Sequence, residues 1–371
     1  MKILLIAPLV YPLRFSPNYQ GIERLVREYA ERLYARGHQV TVVAVKGSEL
    51  IPGIELIPTL QGNWVVENDS LKLYKDRLKE FDVIHDFSHY HSPSMNVDNL
   101  PAINVFWHDP YIAKFQEPKY NVVSLSQWGA NRFKDIYQQY ARYQETIMVS
   151  SPMYRPMSAL NNHQQAPHLP KGDVGHQLPP DRPPVDKISR HNQGIEIDSN
   201  SPFITLGKQS PEKGNLEAMR LCRKLGVSLD VVGGISPGDD DTYSKVVERL
   251  STGKIKYRGN CTEEVKIQLL QRAEALIYCP GQTEIHSHKI VEALFCGCPV
   301  ITFEFGPAKE VLGDFGYLAK DEEDFLHAMQ EYPGRVNRES LYRYSYSRWS
   351  SEAIIPAYEK LYGEVANGLR W

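Results

Sequence analysis

Apolar positions fall along this chain in short runs separated by longer amphipathic stretches, and that alternation predicts an α/β protein. Residues 2–8 (KILLIAP) are a near-continuous apolar run, as in a strand buried on both faces of a parallel sheet. Residues 21–35 then place Leu25, Val26, Tyr29, Ala30 and Leu33 at helical spacing, with Gly37-His38 ending the helix before a second run at 40–45. Further runs start at 82–85, 103–107 and 122–125, the last leading through Ser126 into a helix. Runs at 203–206 and 229–232 continue the pattern, with helices after Gly214 and at 243–250. Strands alternating with helices predict doubly wound sheets.

Between 148 and about 200 the pattern fails. The segment is dense in Pro, His, Gln and Asn and has little apolar periodicity, so it buries too little surface to offset its chain entropy. The chain therefore reads as a first domain over 1–150, a linker or insertion over 151–195, a second domain over 196–345, and a closing helix over 346–371.

The most informative stretch is 275–311, ALIYCPGQTEIHSHKIVEALFCGCPVITFEFGPAKEV. An apolar strand breaks at Pro280-Gly281, a helix is expected over 287–296, Gly297 caps it, and a second strand starts at Pro299. The connection is too long for a hairpin, so the two strands are expected to be parallel. Loops at strand carboxyl ends face the ligand crevice, and the helix that follows attracts anions with its N-terminus. Glu284 lies in that loop. Glu292 lies in the helix among Ile290, Val291, Ala293, Leu294 and Phe295, where a carboxylate needs a partner. The ordinary partner is Lys289, three residues back.

Composition narrows the class. At 371 residues the chain can build two cores, and 42% hydrophobic with 11% aromatic residues fits a globular enzyme. Lys and Arg total 42 against 45 Asp and Glu, a balance that argues against a dedicated nucleic-acid binder. The five cysteines have no metal-ligand spacing. With an odd count and no signal-peptide pattern at the start, reduced thiols in the cytoplasm are expected. His85, His89 and His91 are close in sequence, but their spacing suits loop chemistry, with the cleft as one surface to face. Asp239-Asp240-Asp241 precedes a helix, where acidic residues favour the N-terminus over a metal. Lys208 and Lys213 flank the turn after the 203–206 strand, a plausible diphosphate clamp beside a helix start.

Taken together, Glu284, Glu292, Ala293, Gly297, Pro299-Val300-Ile301, Gly306 and Glu310 resemble the signature of glycosyltransferase family 4, retaining enzymes of the GT-B fold. Other segments resemble the family in the same order: YQGIER, GHQVTVV, DVIHDFSHYH, FWHDP, VVSLSQW, the Gly207-Lys208 and Lys213-Gly214 pairs, IKYRGN, and a last helix opening at Ser-x-Trp. The resemblance implies two Rossmann-like domains facing across a cleft. It also implies transfer of a sugar from a UDP- or GDP-linked donor to a hydroxyl acceptor, without metal or other cofactor. Membrane association would follow only if the acceptor is a lipid.

By the same resemblance Glu292 holds the ribose, and Glu284 with His286, Ser287 and His288 meets the sugar and its phosphate. Lys208 and Lys213 neutralise the diphosphate, and His108 touches the sugar from the opposite domain. Gly21 and Gly207 admit the donor, and Arg258, Gly259 and Asn260 lie beside the base. The chain departs from the family at Gln20, where a glycine is usual, at Lys208, where an arginine is usual, and at Ile285-His286-Ser287, usually Gly-Phe-Gly. A GT-B sugar-nucleotide epimerase and a non-catalytic nucleotide-sugar-binding paralogue are the alternatives.

Overall fold

The computed structural model describes residues 1–14, 21–61, 64–107, 120–147, 201–235, 240–281 and 284–371. His108, Gln20, Asp239 and the whole 151–195 segment lie outside the described residues. Within them, β1 (Lys2–Ile6), β2 (Gln39–Val45), β3 (Glu55–Thr59), β4 (Val83–Asp86), β5 (Ala102–Phe106), β6 (Val122–Ser124) and β7 (Ala141–Tyr143) make one sheet, ordered β3-β2-β1-β4-β5-β6-β7. A second sheet contains β8 (Phe203–Leu206), β9 (Leu229–Val232), β10 (Ile255–Gly259), β11 (Leu276–Tyr278), β12 (Val300–Phe303) and β13 (Tyr317–Ala319), ordered β10-β9-β8-β11-β12-β13. Every pairing is parallel. Both are Rossmann-like sheets with a reversal of order beside their first strand, and the fold is α/β of the GT-B type.

The first strand shows why its apolar run has no polar breaks. Ile3 and Leu5 enter the core on one face, and Leu4 and Ile6 enter a separate core on the other. β3, β7 and β13 were not anticipated, and each is a sheet edge. β3 is half-exposed and includes Pro58, while β7 and β13 span three residues each. Edges bury one face at most, so they lack the apolar runs that mark central strands.

The helices that place the site are α1 (Ile22–Ala35), α2 (Gln127–Tyr137), α3 (Glu263–Arg272), α4 (His288–Phe295), α5 (Ala308–Leu312), α6 (Arg338–Trp349) and α7 (Ser351–Ala366). α1 buries Leu25, Val26, Tyr29, Ala30 and Leu33 against β1 and β2, as its spacing requires. α6 packs Leu341, Tyr342 and Trp349 beside Ile290 and Leu294 of the second domain. Ser350 then caps α7 by accepting the Ala353 amide at 3.2 Å, and α7 lays Ile354, Tyr358, Leu361 and Val365 onto the first domain. Among the described residues no helix is long and apolar enough to cross a membrane.

Candidate functional site

In the second sheet β8 and β11 are hydrogen-bonded neighbours at the reversal of strand order, so the loops at their carboxyl ends open a crevice between them. These loops are fastened to each other. The Gly281 amide donates to the Glu212 carbonyl at 3.0 Å. Gly214, at φ +70°, lies so close that a Cβ would sit 1.6 Å from the Cys279 carbonyl oxygen, a contact only glycine allows. The clasp sets Lys213, at the end of the Pro211–Lys213 turn, against Glu284 as an ion pair.

Lys289, the second residue of α4, reaches the same carboxylate at 3.9 Å and stands 4.0 Å from the centre of the Tyr278 ring. Burial alone would raise the Glu284 carboxyl, but the charges of Lys289 and Lys213 outweigh it and hold the group at about 2. Lys208 goes elsewhere. It is 3.7 Å from Glu212 and lines a separate shallow groove with Ser210, Thr242 and Tyr243.

The loop into α4 is polar and buried at once. The His286 and His288 Nδ1 atoms, the Ser287 Oγ and the Lys289 Nζ are all inaccessible and have no hydrogen-bond partner. Burial pushes both imidazoles toward the neutral form, His288 to about 4. Four such groups at one helix N-terminus cost folding energy unless something binds there.

Glu292 does not pair with Lys289, and that expectation is corrected here. Its Oε1 accepts from Lys266 Nζ of α3 at 2.8 Å and from Arg24 Nη2 of α1 at 3.0 Å. Glu263 of α3 completes the group, 3.0 Å from Lys266 and in contact with Arg24. Lys289 lies three positions back but turns toward β8 and β11, whereas Glu292 faces α3 and the other domain. Burial opposes the charge on Glu292, and Lys266 and Arg24 restore it, keeping the carboxyl below its usual range.

Arg24 and Lys266 were missed by the sequence reading, and Lys289 was offered only as the partner of Glu292. One signal was available: Arg24 and Lys289 are cations in the first turn of a helix, where the dipole disfavours them, so each calls for an anion.

Across the cleft, α1 starts at Gly21, where an added Cβ would meet nothing within 4 Å. Beside it Glu23 is buried, which lifts its carboxyl to about 7. Glu67 accepts from the Leu9, His89 and Tyr90 amides and from His89 Nδ1 at 2.8 Å. Of the three neighbouring histidines, His89 and His91 lie in the loop after β4, His91 buried with its Nδ1 3.7 Å from Asp86. His85 belongs to β4 and is fully buried, its Nδ1 bonded to the Tyr362 hydroxyl at 2.7 Å and its ring stacked on Tyr358. Strand alternation points it at α7 rather than the cleft. Among the described residues no three His, Cys, Asp or Glu side chains are grouped to hold a metal.

The remaining candidates are more dispersed. Arg258 is committed to Asp230 at 2.7 Å, shared with Arg272 at 3.0 Å. Gly259 adopts φ +62° where the β9–β10 register shifts, and Asn260 packs against Gly234. Asp240 caps locally, accepting from the Thr242 amide at 3.0 Å, and Asp241 pairs with Lys245.

Residues 207–332, about a third of the chain, match the family model described as glycosyl transferases group 1. That span contains the crevice, both lysines and both glutamates. No curated protein matches the sequence. The fold is similar to that of AviGT4, a glycosyltransferase involved in avilamycin A biosynthesis, at 19% identity over 100% of this chain and 99% of that one, with a TM-score of 0.67. Sucrose-phosphate synthase from Thermosynechococcus elongatus matches at 15% identity over 99% and 100%, with a TM-score of 0.71. Anabaena HepE in complex with UDP and glucose matches at 16% identity over the full length of both chains, with a TM-score of 0.63. A glycosyl transferases group 1 domain thus occupies the second half of a GT-B scaffold, and the chain is a glycosyltransferase of that architecture.

Proposed function

We propose that this is a retaining glycosyltransferase of family 4, moving a sugar from a UDP- or GDP-linked donor to a hydroxyl acceptor in glycan, polysaccharide or glycolipid synthesis. The observation behind this reading is the cluster of buried polar atoms without hydrogen-bond partners at the N-terminus of α4, beside the Lys213–Glu284 pair. A sugar diphosphate supplies both the hydroxyls and the anion such a cluster needs. HepE, whose complexes hold UDP with glucose and UDP-glucose, makes UDP-sugars the first donors to test.

In this reading Glu292 grips the ribose, and Glu284 with His286, Ser287 and His288 orients the sugar. As the glycosidic bond breaks, negative charge grows on the leaving phosphate. In this reading Lys213 and the α4 dipole stabilise it, joined by Lys208 once it leaves Glu212, and preorganised charge of this kind is the main source of the rate. Both carboxylates are engaged by cations, which suits electrostatic roles rather than attack on the sugar carbon. His108 would complete the sugar site from the first domain.

The test is a thermal-shift panel of UDP-, GDP- and ADP-sugars followed by product analysis. One nucleotide class should raise the melting temperature by mass action, and the transferred sugar should keep its anomeric configuration. No shift with any donor, or an inverted product, would overturn the reading. An altered free sugar without transfer would identify an epimerase, and binding without turnover a non-catalytic paralogue.

A further inference from the structure

We propose that Lys289 is a further cation of the donor diphosphate site, supplied by α4 itself; this rests on the nucleotide-sugar reading above. Its Nζ is buried and has three N–H donors but no hydrogen-bond acceptor. The neighbours that offset its charge are the face of the Tyr278 ring at 4.0 Å and Glu284 at 3.9 Å, and Glu284 is already shared with Lys213. An ammonium so held, in the first turn of a helix whose dipole opposes it, is costly without a further anion.

Position indicates which anion. A Cβ built on Gly207 would lie 3.2 Å from Lys289 Nζ and 3.6 Å from Lys213 Cβ, so both lysines converge on the end of β8. The amides of the α4 N-terminus start from the same crevice. Lys208, standing where the family has an arginine, leans instead on Glu212. A diphosphate entering between β8 and β11 would therefore meet Lys213 and Lys289 first. Burial also pushes the Lys289 ammonium down to about 8, against the pull of Glu284. A bound diphosphate favours the protonated form and raises that value again.

Affinity for a diphosphate should consequently fall as pH rises through 8, because the free protein then loses the proton that binding requires. The charged or titratable groups facing Lys289 are Glu284, Lys213, Glu212, Glu292 and Tyr278. Both nearby imidazoles are neutral throughout this window.

The experiment titrates UDP, GDP, ADP and the matching nucleosides into the full chain by calorimetry, for wild type and Lys289→Met, from pH 7.5 to 9.5. Wild type should lose about ten-fold in affinity for its diphosphate across that range. Lys289→Met should bind it about ten-fold or more weakly at pH 7.5, with a flatter pH profile and unchanged nucleoside binding. Equal affinity and an equal profile in the variant would overturn the proposal while leaving the nucleotide reading intact. Wild type that binds none of the three diphosphates would overturn both. Should the variant fail to fold, a flat wild-type profile still rejects the role of Lys289.

Discussion

Glu292 is already held by the fold, accepting from Lys266 and Arg24, and the proposed ribose contact would be a second duty for the same carboxylate. If it grips a ribose, Glu292→Gln should weaken nucleotide binding by roughly 1.5–3 kcal/mol, about ten- to hundred-fold. The same change removes an acceptor from Arg24 and Lys266, so stability should also fall, by about 1–3 kcal/mol. Arg24→Ala separates the two effects. It breaks the same ion pair from the other side while leaving the carboxylate intact, with Lys266 still 2.8 Å away. Calorimetry should find nucleotide affinity lost in Glu292→Gln and kept within about three-fold in Arg24→Ala. Parallel losses in both variants would mean that Glu292 acts only through the domain interface. The sequence marked Glu292 as a buried charge in need of a partner but offered the wrong one, because spacing along a helix says nothing about what packs against its face.

At the scale of elements, α2 is completed by a residue from the other domain. Its first two amides, of Gln127 and Trp128, donate to the two oxygens of Glu310 at 2.6 and 3.1 Å, and the third, of Gly129, donates to Ser126 Oγ at 2.9 Å. Ser126 was legible as a helix start. Glu310 was not, because it lies 183 positions away. Arg348 of α6 holds the same turn by donating to the Glu310 carbonyl at 2.9 Å, and it also pairs with Glu145 at the end of the first domain. Replacing the carboxylate by an amide leaves one oxygen facing two amides and weakens the interaction with the helix dipole. Glu310→Gln should cost about 1–2 kcal/mol in denaturant unfolding. Hydrogen exchange should quicken selectively at Gln127 and Trp128. Unchanged protection at those two amides would show that the cap is incidental.

For the molecule as a whole, the loop carrying Glu284 also plugs the facing domain. Ile285 is 2% exposed and packs in the first-domain core, with its Cγ2 beside Gly129, where an added Cβ would come within 2.8 Å. A small residue at 129 and a branched one at 285 thus fit together across the cleft. Ile285→Ala should remove about 2–5 kcal/mol of packing from the interface and loosen the grip on Glu284. Small-angle scattering should report a wider molecule, and turnover should fall more than nucleotide affinity, since Lys213 still engages Glu284. An unchanged scattering profile with unchanged turnover would mean that the domains are held together by other contacts alone.

The departure from the family at Ile285 reads differently in this light, because a side chain that looked like a damaged motif has a mate in the opposite domain. From the sequence alone came two doubly wound sheets, the central strands, and Glu284, Glu292, Lys208 and Lys213 as candidates. The sheets and strands rest on periodicity and local turn chemistry, which neighbours in sequence encode, whereas the ligand roles of those four residues leaned on the family resemblance. The pairing of Lys213 with Glu284, the turn of Lys289 toward Gly207, the claim of Arg24 on Glu292 and the capping of α2 by Glu310 were decided only by tertiary structure. Each depends on which faces two distant elements present to each other, and hydrophobic spacing within either element is blind to that.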